Sequence, residues 1–240
     1  MYWPKISLII PCYNEASRLH LLFEGLEEFA SQWGNTCEYI LVDDGSTDTS
    51  VSDIKSHPFF ASGHYNARLL SQENTGKGGA LKKGVMLAEG EYILTLDADM
   101  AAKPTDLLLW FEKKRGFSKK EILIGSRELK NSKVADLGYR KVIGNIFNFI
   151  IRTLTGLKLN DTQCGFKLYS NEAGKQLFSP LQTLGWAHDV EILKRANRLG
   201  YAITEMPVNW VAVPGSKINV LRDSWTMFWE VMKIRKMKMD

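Results

Sequence analysis

Tyr92-Ile93-Leu94-Thr95-Leu96-Asp97-Ala98-Asp99 is an apolar run of strand character that ends in two carboxylates separated by one small residue. A strand of that kind delivers the pair to the rim of a sheet. Burying both charges without a cation costs several kcal/mol, so a positive species is expected there. Hard carboxylate oxygens that leave coordination positions open suit Mg²⁺ or Mn²⁺ bridged to a phosphorylated ligand. Taken alone, the tripeptide also fits a solvated turn or a helix cap. Its neighbours in the chain decide between these readings.

Four other apolar runs end in the same way. Ile6-Ser7-Leu8-Ile9-Ile10 runs into Pro11-Cys12-Tyr13-Asn14-Glu15, and Glu38-Tyr39-Ile40-Leu41-Val42 into Asp43-Asp44-Gly45-Ser46. Ala67-Arg68-Leu69-Leu70-Ser71 leads to Asn74-Thr75-Gly76-Lys77-Gly78-Gly79, and Ile122-Leu123-Ile124 ends in Gly125-Ser126-Arg127. Between them, Leu19, Leu22, Phe23, Leu26 and Phe29, then Ala80, Leu81, Val85 and Ala88, recur at helical spacing. Strands alternating with amphipathic helices predict an α/β fold with a mixed, mainly parallel sheet flanked by helices. In such sheets ligands bind outside the carboxyl ends of the strands. Five polar clusters at five strand ends therefore read as one site.

Composition agrees with a single-domain enzyme: 240 residues, 45% of them hydrophobic, suffice for a substantial core. No apolar run approaches a membrane span, and the first strand begins almost at the N-terminus, so neither signal peptide nor transmembrane anchor is expected. A net charge of +4 without aromatic–basic interleaving gives no reason to expect nucleic acid as a partner. Cys12, Cys37 and Cys164, odd in number and lacking C-x-x-C spacing, fit reduced thiols in a cytoplasmic compartment.

The second half is patterned differently. Residues 128–136 are polar and charged and read as a loop. Over 137–157, Ile143, Ile146, Phe147, Ile150, Ile151 and Leu154 form a broad apolar stripe, which fits a helix on the sheet or one lying in a membrane interface. Over 219–240, Leu221, Trp225, Phe228, Trp229 and Met232 recur at helical spacing before Lys233, Arg235, Lys236 and Lys238. Tryptophan beside a basic cluster suits the headgroup layer of an anionic membrane, although a solvated tail on a packed helix has the same pattern.

The set P-C-Y-N-E, V-D-D-G-S-T-D, N-T-G-K-G-G-A, D-A-D-M and G-S-R resembles the family 2 glycosyltransferases of the GT-A (Rossmann-like) fold. Asp161-Thr162-Gln163-Cys164-Gly165-Phe166-Lys167, Trp186-Ala187-His188-Asp189-Val190-Glu191, Pro207-Val208-Asn209-Trp210 and Gly215-Ser216-Lys217 are similar to one branch of it, the dolichyl-phosphate (polyprenyl-phosphate) β-glucosyltransferases, close to the dolichyl-phosphate mannose synthases. The resemblance implies a glycosyltransferase domain over 1–215. Its nucleotide-sugar half would be 1–127 and its acceptor half 128–215, with an amphipathic basic segment over 216–240. Eukaryotic members of the branch carry an N-terminal anchor that is not expected here, which implies a peripheral enzyme at the cytoplasmic face of a membrane.

The implied reaction is inverting transfer of glucose from UDP-glucose to a polyprenyl phosphate. Asp99 would hold the metal, with Asp97 assisting it or bonding the ribose. Pro11, Tyr13, Asn14 and Glu15 would hold base and ribose, and Asp43 or Asp44 the imide edge of a uracil, unless one of these two merely caps a helix starting near 46–48. Ala98 lies on the nucleotide path. Gly76, Gly78 and Gly79 permit close backbone approach at a helix start, where Lys77 adds charge or is simply a surface lysine. A lipid phosphate is largely ionised near neutrality and needs no general base, only cations to orient it. Arg127, Arg140, Lys217 and the neutral Ser126 are the candidates. Asp161, Gln163 and Asp189 are expected at the sugar, His188 as a structural histidine, and Cys164 as packing. GDP-mannose with the same acceptor, transfer to a saccharide or protein hydroxyl, and a non-catalytic nucleotide-sugar-binding membrane adaptor are the competing readings.

Overall fold

The computed structural model describes residues 3–34, 36–114, 117–135, 148, 151–213 and 220–239, with the backbone alone over 220–224. The first half runs β1 (Ile6–Cys12), a 3-10 turn (Ala16–Arg18), α1 (Leu19–Trp33), β2 (Cys37–Asp43), α2 (Ser50–Ser56), α3 (Pro58–Ala61), β3 (Asn66–Ser71), α4 (Lys77–Leu87) and β4 (Tyr92–Thr95). The second runs α5 (Asp106–Lys113), β5 (Glu121–Ser126), β6 (Lys133–Ala135), β7 (Lys167–Ser170), α6 (Asn171–Phe178), α7 (His188–Arg198), β8 (Ala202–Pro207), β9 (Asn209–Val211) and α8 (Val220–Lys236).

Seven strands form one sheet in the order β3-β2-β1-β4-β7-β5-β8. β1 pairs in parallel with β2 and β4, β2 with β3, and β5 with β8. β7 lies antiparallel between β4 and β5. The mixed, mainly parallel α/β fold expected from the apolar runs is therefore present. Periodicity places no strand at 167–170, because four residues opening on a lysine make no apolar run.

Side chains alternate along β1. Ile6, Leu8 and Ile10 join Leu22, Phe29 and Trp110 in the core under one sheet face, while Ile9 joins Val42, Val85 and Ile192 under the other. Helices on both faces leave the carboxyl ends of the strands open, where the polar clusters lie.

Three local expectations change. The helix after Asp43-Asp44 begins at Ser50 rather than near 46–48. Asn14 Oδ1 accepts from the backbone N–H groups of Thr47 (2.7 Å) and Asp48 (3.3 Å), which holds that stretch as a loop. Within the polar segment 128–136, residues 133–135 form β6 and pair in parallel with β9. Of the stripe over 137–157, only Ile151 and Leu154 fall among the described residues. They pack with Val231 and Ile234 of α8 and with Ala187 and Val190. The C-terminal helix thus has one packed face, against α7.

α4 lies close on the sheet at Gly84, where an added Cβ would collide with Ile9 Cγ2 and approach Val42 Cγ2 to 3.1 Å. Gly84→Val is expected to lift the helix and to cost about 1–3 kcal/mol, as overpacking does. Urea denaturation checks this, and an unchanged midpoint would contradict the contact.

Candidate active site

β4 ends at Thr95, and Leu96 N–H still reaches Ile9 O at 3.2 Å, so the chain leaves the sheet at Asp97. Asp99 Oδ1 accepts Ala101 N–H at 3.0 Å, and Met100 takes a φ of 55°, which turns the backbone sharply and leaves both carboxylates on the same rim. Burial pushes the Asp99 carboxyl above the ordinary carboxylate range and the Asp97 charge adds to this, against Ala101 N–H, Arg18 and Lys77. Two hard-oxygen donors in an electrically under-neutralised corner fit Mg²⁺ or Mn²⁺ whose other positions are filled by water and a diphosphate. Among the described residues no group of three or more His, Cys, Asp or Glu converges on a metal position.

Cations surround it. Lys77, at the start of α4, places Nζ 2.5 Å from Asp97 Oδ1, with 16% of its side chain exposed. It is therefore not a surface lysine. Burial would lower its pKa, and the charges of Asp97 and Asp189 outweigh that, so it stays protonated. Arg18 forks onto Glu15 (2.7 and 2.9 Å) and acts on Asp99 through space. The E-x-x-R spacing is its sole trace in the sequence. Trp186 presents its ring to Lys77 Nζ, 5.7 Å from the centroid, and Trp210 does the same for the Arg127 guanidinium at 5.6 Å.

Several expected ligand contacts are taken up by the protein itself. Asp44 Oδ1 accepts from Thr75 N–H (2.9 Å) and Gln72 Nε2 (2.7 Å), and Oδ2 from Gly76 N–H (2.8 Å). It brackets the 72–76 loop, so the carboxylate expected at a uracil edge is engaged within the protein. Asp43, also buried, accepts Ser46 N–H at 3.2 Å. Close approach at Gly78 is real, but the group that approaches is Leu184 O, 2.7 Å from Gly78 N. A Cβ at Gly78 would sit 2.6 Å from His188 Cβ, so packing alone requires glycine here. Ser126, expected against the acceptor phosphate, is fully buried at the end of β5. Arg140 and Lys217 lie outside the described residues.

Asp161 and Arg127, expected at different ligands, instead hold each other. Arg127 Nε and Nη2 donate to the two Asp161 oxygens at 2.7 and 3.0 Å, and Arg127 N–H adds a third bond at 3.1 Å. Burial would raise the Asp161 carboxyl, and Arg127 outweighs that, holding it below the ordinary range. Asp161 is 1% exposed, whereas 30% of the Arg127 side chain remains open. The carboxylate is thus the buried member of the pair and the guanidinium side the more open one. Glu205 fixes this turn by accepting from Asn160 and Asp161 N–H at 3.0 Å, and Gln163 N–H closes on Asp161 Oδ1 at 3.1 Å.

Asp189 is likewise corrected from an open sugar contact to a buried ion pair. Lys167 Nζ lies 2.7 Å away and also donates to Cys164 O. Burial would raise this carboxyl too, and His188, Lys167 and Lys77 outweigh it, so it lies low. His188 is buried with Nδ1 2.9 Å from Gly185 O. The buried Cys164 thiol is pushed up to about 11 by desolvation, which suits packing rather than nucleophilic attack. Of the remaining candidates, Tyr13 is 40% exposed at the mouth, Pro11 is half-buried at the end of β1, and Ala98 is buried between the two aspartates. Gly165 leaves the room that Asp97 occupies, since a Cβ there would lie 2.6 Å from Oδ2.

The family described as "Glycosyl transferase family 2" matches residues 7–178. The chain is 33% identical to a dolichyl-phosphate beta-glucosyltransferase of Dictyostelium discoideum, over 96% of this chain and 73% of that one. It is 36% identical to the mouse protein of that name (97% and 73%) and 34% to that of Saccharomyces cerevisiae (96% and 74%). Glucosyl-3-phosphoglycerate synthase of Mycobacterium tuberculosis, solved with Mn²⁺ and UDP-glucose, superposes with a TM-score of 0.68 at 19% identity, covering 96% of this chain and 77% of that one. A mannosyltransferase of Pyrobaculum calidifontis, solved with GDP-mannose and Mn²⁺, gives 0.66 at 21% identity, over 99% and 66%. At such identities these two structures establish the shared fold.

Asp161→Asn removes one member of a largely buried pair and is expected to cost about 3 kcal/mol in denaturation experiments. A carboxyl held low in the folded state stabilises above its unfolded value of about 3.9 and ceases to do so as pH falls through the lower folded value. The gap between wild type and Asp161→Asn should therefore be flat near neutrality and close at acid pH. A gap that widens on acidification would refute the pairing.

Proposed function

The chain belongs to glycosyltransferase family 2, and from that premise we propose that it transfers glucose from UDP-glucose to a polyprenyl (dolichyl-type) phosphate with inversion at the anomeric carbon. The glycosyltransferase activity comes with the family. The donor, the stereochemistry and the lipid acceptor are the proposal. One observation carries it: Asp161 and Asp189, the two acids of the acceptor half expected at the sugar, are both buried, ion-paired and held below the ordinary carboxylate range. Such groups are poor bases. A phosphate acceptor arrives ionised and needs none.

In this reading residues 1–127 take the nucleotide sugar and 128–215 the acceptor. Tyr13 borders the base, and Lys77 and Arg18 meet the diphosphate. Asp97 and Asp99 would hold Mg²⁺ or Mn²⁺, which when bound would supply positive charge to the departing nucleotide. Arg127, fixed from behind by Asp161, turns its open edge to the lipid phosphate and relieves its repulsion against the donor. A phosphate oxygen then attacks the anomeric carbon while the bond pair leaves with UDP, which inverts the centre. The relatives named as dolichyl-phosphate beta-glucosyltransferases support the glucose and the lipid. A lipid acceptor calls for a protein lying on a membrane surface, and among the described residues no helix is long and apolar enough to cross one.

Incubation with labelled UDP-glucose, Mn²⁺ and a polyprenyl phosphate should move label into an organic-extractable lipid. Asp99→Ala should cut that turnover by about 10²–10³ with the fold intact. In thermal-shift experiments with Mn²⁺, UDP should stabilise the protein and GDP should not. Stabilisation by GDP alone would replace glucose with mannose as the sugar, and label on a soluble sugar but not on lipid would remove the phosphate mechanism.

A further inference from the structure

α8 carries two faces that look in opposite directions. On the outer one, Trp225 and Trp229 are 66% and 51% exposed and pack against each other and against Phe228, and exposed Lys233 and Lys236 continue the stripe at helical spacing. The inner face is held without them. Val231 and Ile234 are fully buried against Ala187, Val190 and Ile151, and Lys194 Nζ from α7 donates to the carbonyls of Ile234 and Arg235 at 2.6 and 3.0 Å.

That inner face grips the site at one turn. Glu230 Oε2 accepts Ala187 N–H at 3.1 Å, and Gly185 leaves room for the other oxygen, since a Cβ there would lie 2.5 Å from Oε1. Gln163 Nε2 lies 3.8 Å from Met227 Sδ on the same face. The gripped turn carries Trp186, which faces Lys77, and Leu184, whose carbonyl holds Gly78 N–H at the start of α4. Its far end is fixed by Glu191, which accepts Thr183 N–H at 2.7 Å and is itself paired with Arg195. Glu230 is thus the link from a solvent-facing tryptophan stripe to the lysine beside Asp97.

We propose that α8 couples membrane docking to the active site: the Trp225–Trp229 stripe and the lysines beyond it enter an anionic bilayer surface, and Glu230 passes the fixing of the helix to the 185–187 turn. Chemistry identifies the occupant. Aromatic side chains with a polar edge and exposed Lys233, Arg235, Lys236 and Lys238 complement the headgroup layer of acidic lipids. The proposal rests on the lipid-acceptor reading, since a water-soluble acceptor would give the protein no bilayer to meet. Glu230 is a positioning residue that acts through Ala187 and Trp186.

The test uses the full chain with vesicles of phosphatidylcholine, with and without phosphatidylglycerol. Wild-type protein should sediment with the acidic vesicles, and Trp225→Ala with Trp229→Ala should weaken partitioning by roughly tenfold or more. Hydrogen exchange at the Ala187 amide should slow several-fold when wild type binds the acidic vesicles. Glu230→Ala should still bind them, with an Ala187 amide that exchanges fast and does not respond. Glu230→Gln, which keeps an acceptor, should recover the response and guards against an alanine variant that fails to fold. Wild-type partitioning by the double tryptophan variant, or Ala187 exchange that ignores the vesicles in wild type, would overturn the proposal. Neither readout involves nucleotide sugar or lipid phosphate. Glucosyl transfer without either response would spare the transferase reading and remove this coupling, whereas both responses without transfer would do the reverse.

Discussion

Four carboxylates meet at one end of a sheet, and the way their charge is balanced organises the rest of the molecule. Three have a cation of their own: Asp97 has Lys77, Asp161 has Arg127, and Asp189 has Lys167. Asp99 is the member that burial and Asp97 push upward. Each cation comes from a different element, namely the start of α4, the end of β5 and the strand β7. The antiparallel strand that interrupts the parallel sheet is the one that brings Lys167 to Asp189. A buried pair such as Lys167–Asp189 contributes little net stability, but losing one partner is costly, and this constrains the architecture around it.

A second group of acids holds the irregular segments around the site. Asp44, Glu191, Glu205 and Glu230 all accept from backbone N–H groups of the irregular segments at the strand ends. Loops at the mouth of an α/β sheet carry many peptide groups without ladder partners, and a buried peptide group left unpaired is expensive. Carboxylates satisfy them one or two at a time. This is why so many acids crowd the site while few of their oxygens face a ligand.

The division of labour between Asp161 and Arg127 obeys the same logic. A lone arginine at a phosphate site would lose side-chain freedom on binding. One already forked onto a buried carboxylate has lost it in folding, and its open edge is presented at a fixed angle. The Trp210 ring beside the guanidinium narrows that angle further. The acid behind it is not available as a base, which is consistent with an acceptor that brings its own charge.

Most of the frame was legible in the sequence. Strands β1 to β5, helices α1 and α4, and the acidic pair at Asp97 and Asp99 are local features, written in apolar runs of period near two or 3.6 and in the polar residues that end each run. The motif set also identified the family. Tertiary structure alone decided which charged residues meet. Arg18 beside Asp99, Arg127 on Asp161, Lys167 under Asp189, Leu184 O on Gly78 and Glu230 on the 185–187 turn all join residues brought together by packing. The chain carries no local mark of which acid faces a ligand and which faces a peptide group, because that depends on distances set by every element between them. Pattern determined the sheet and its rim, and the balance of charge and hydrogen bonding across that rim was settled only when the helices and loops closed over it.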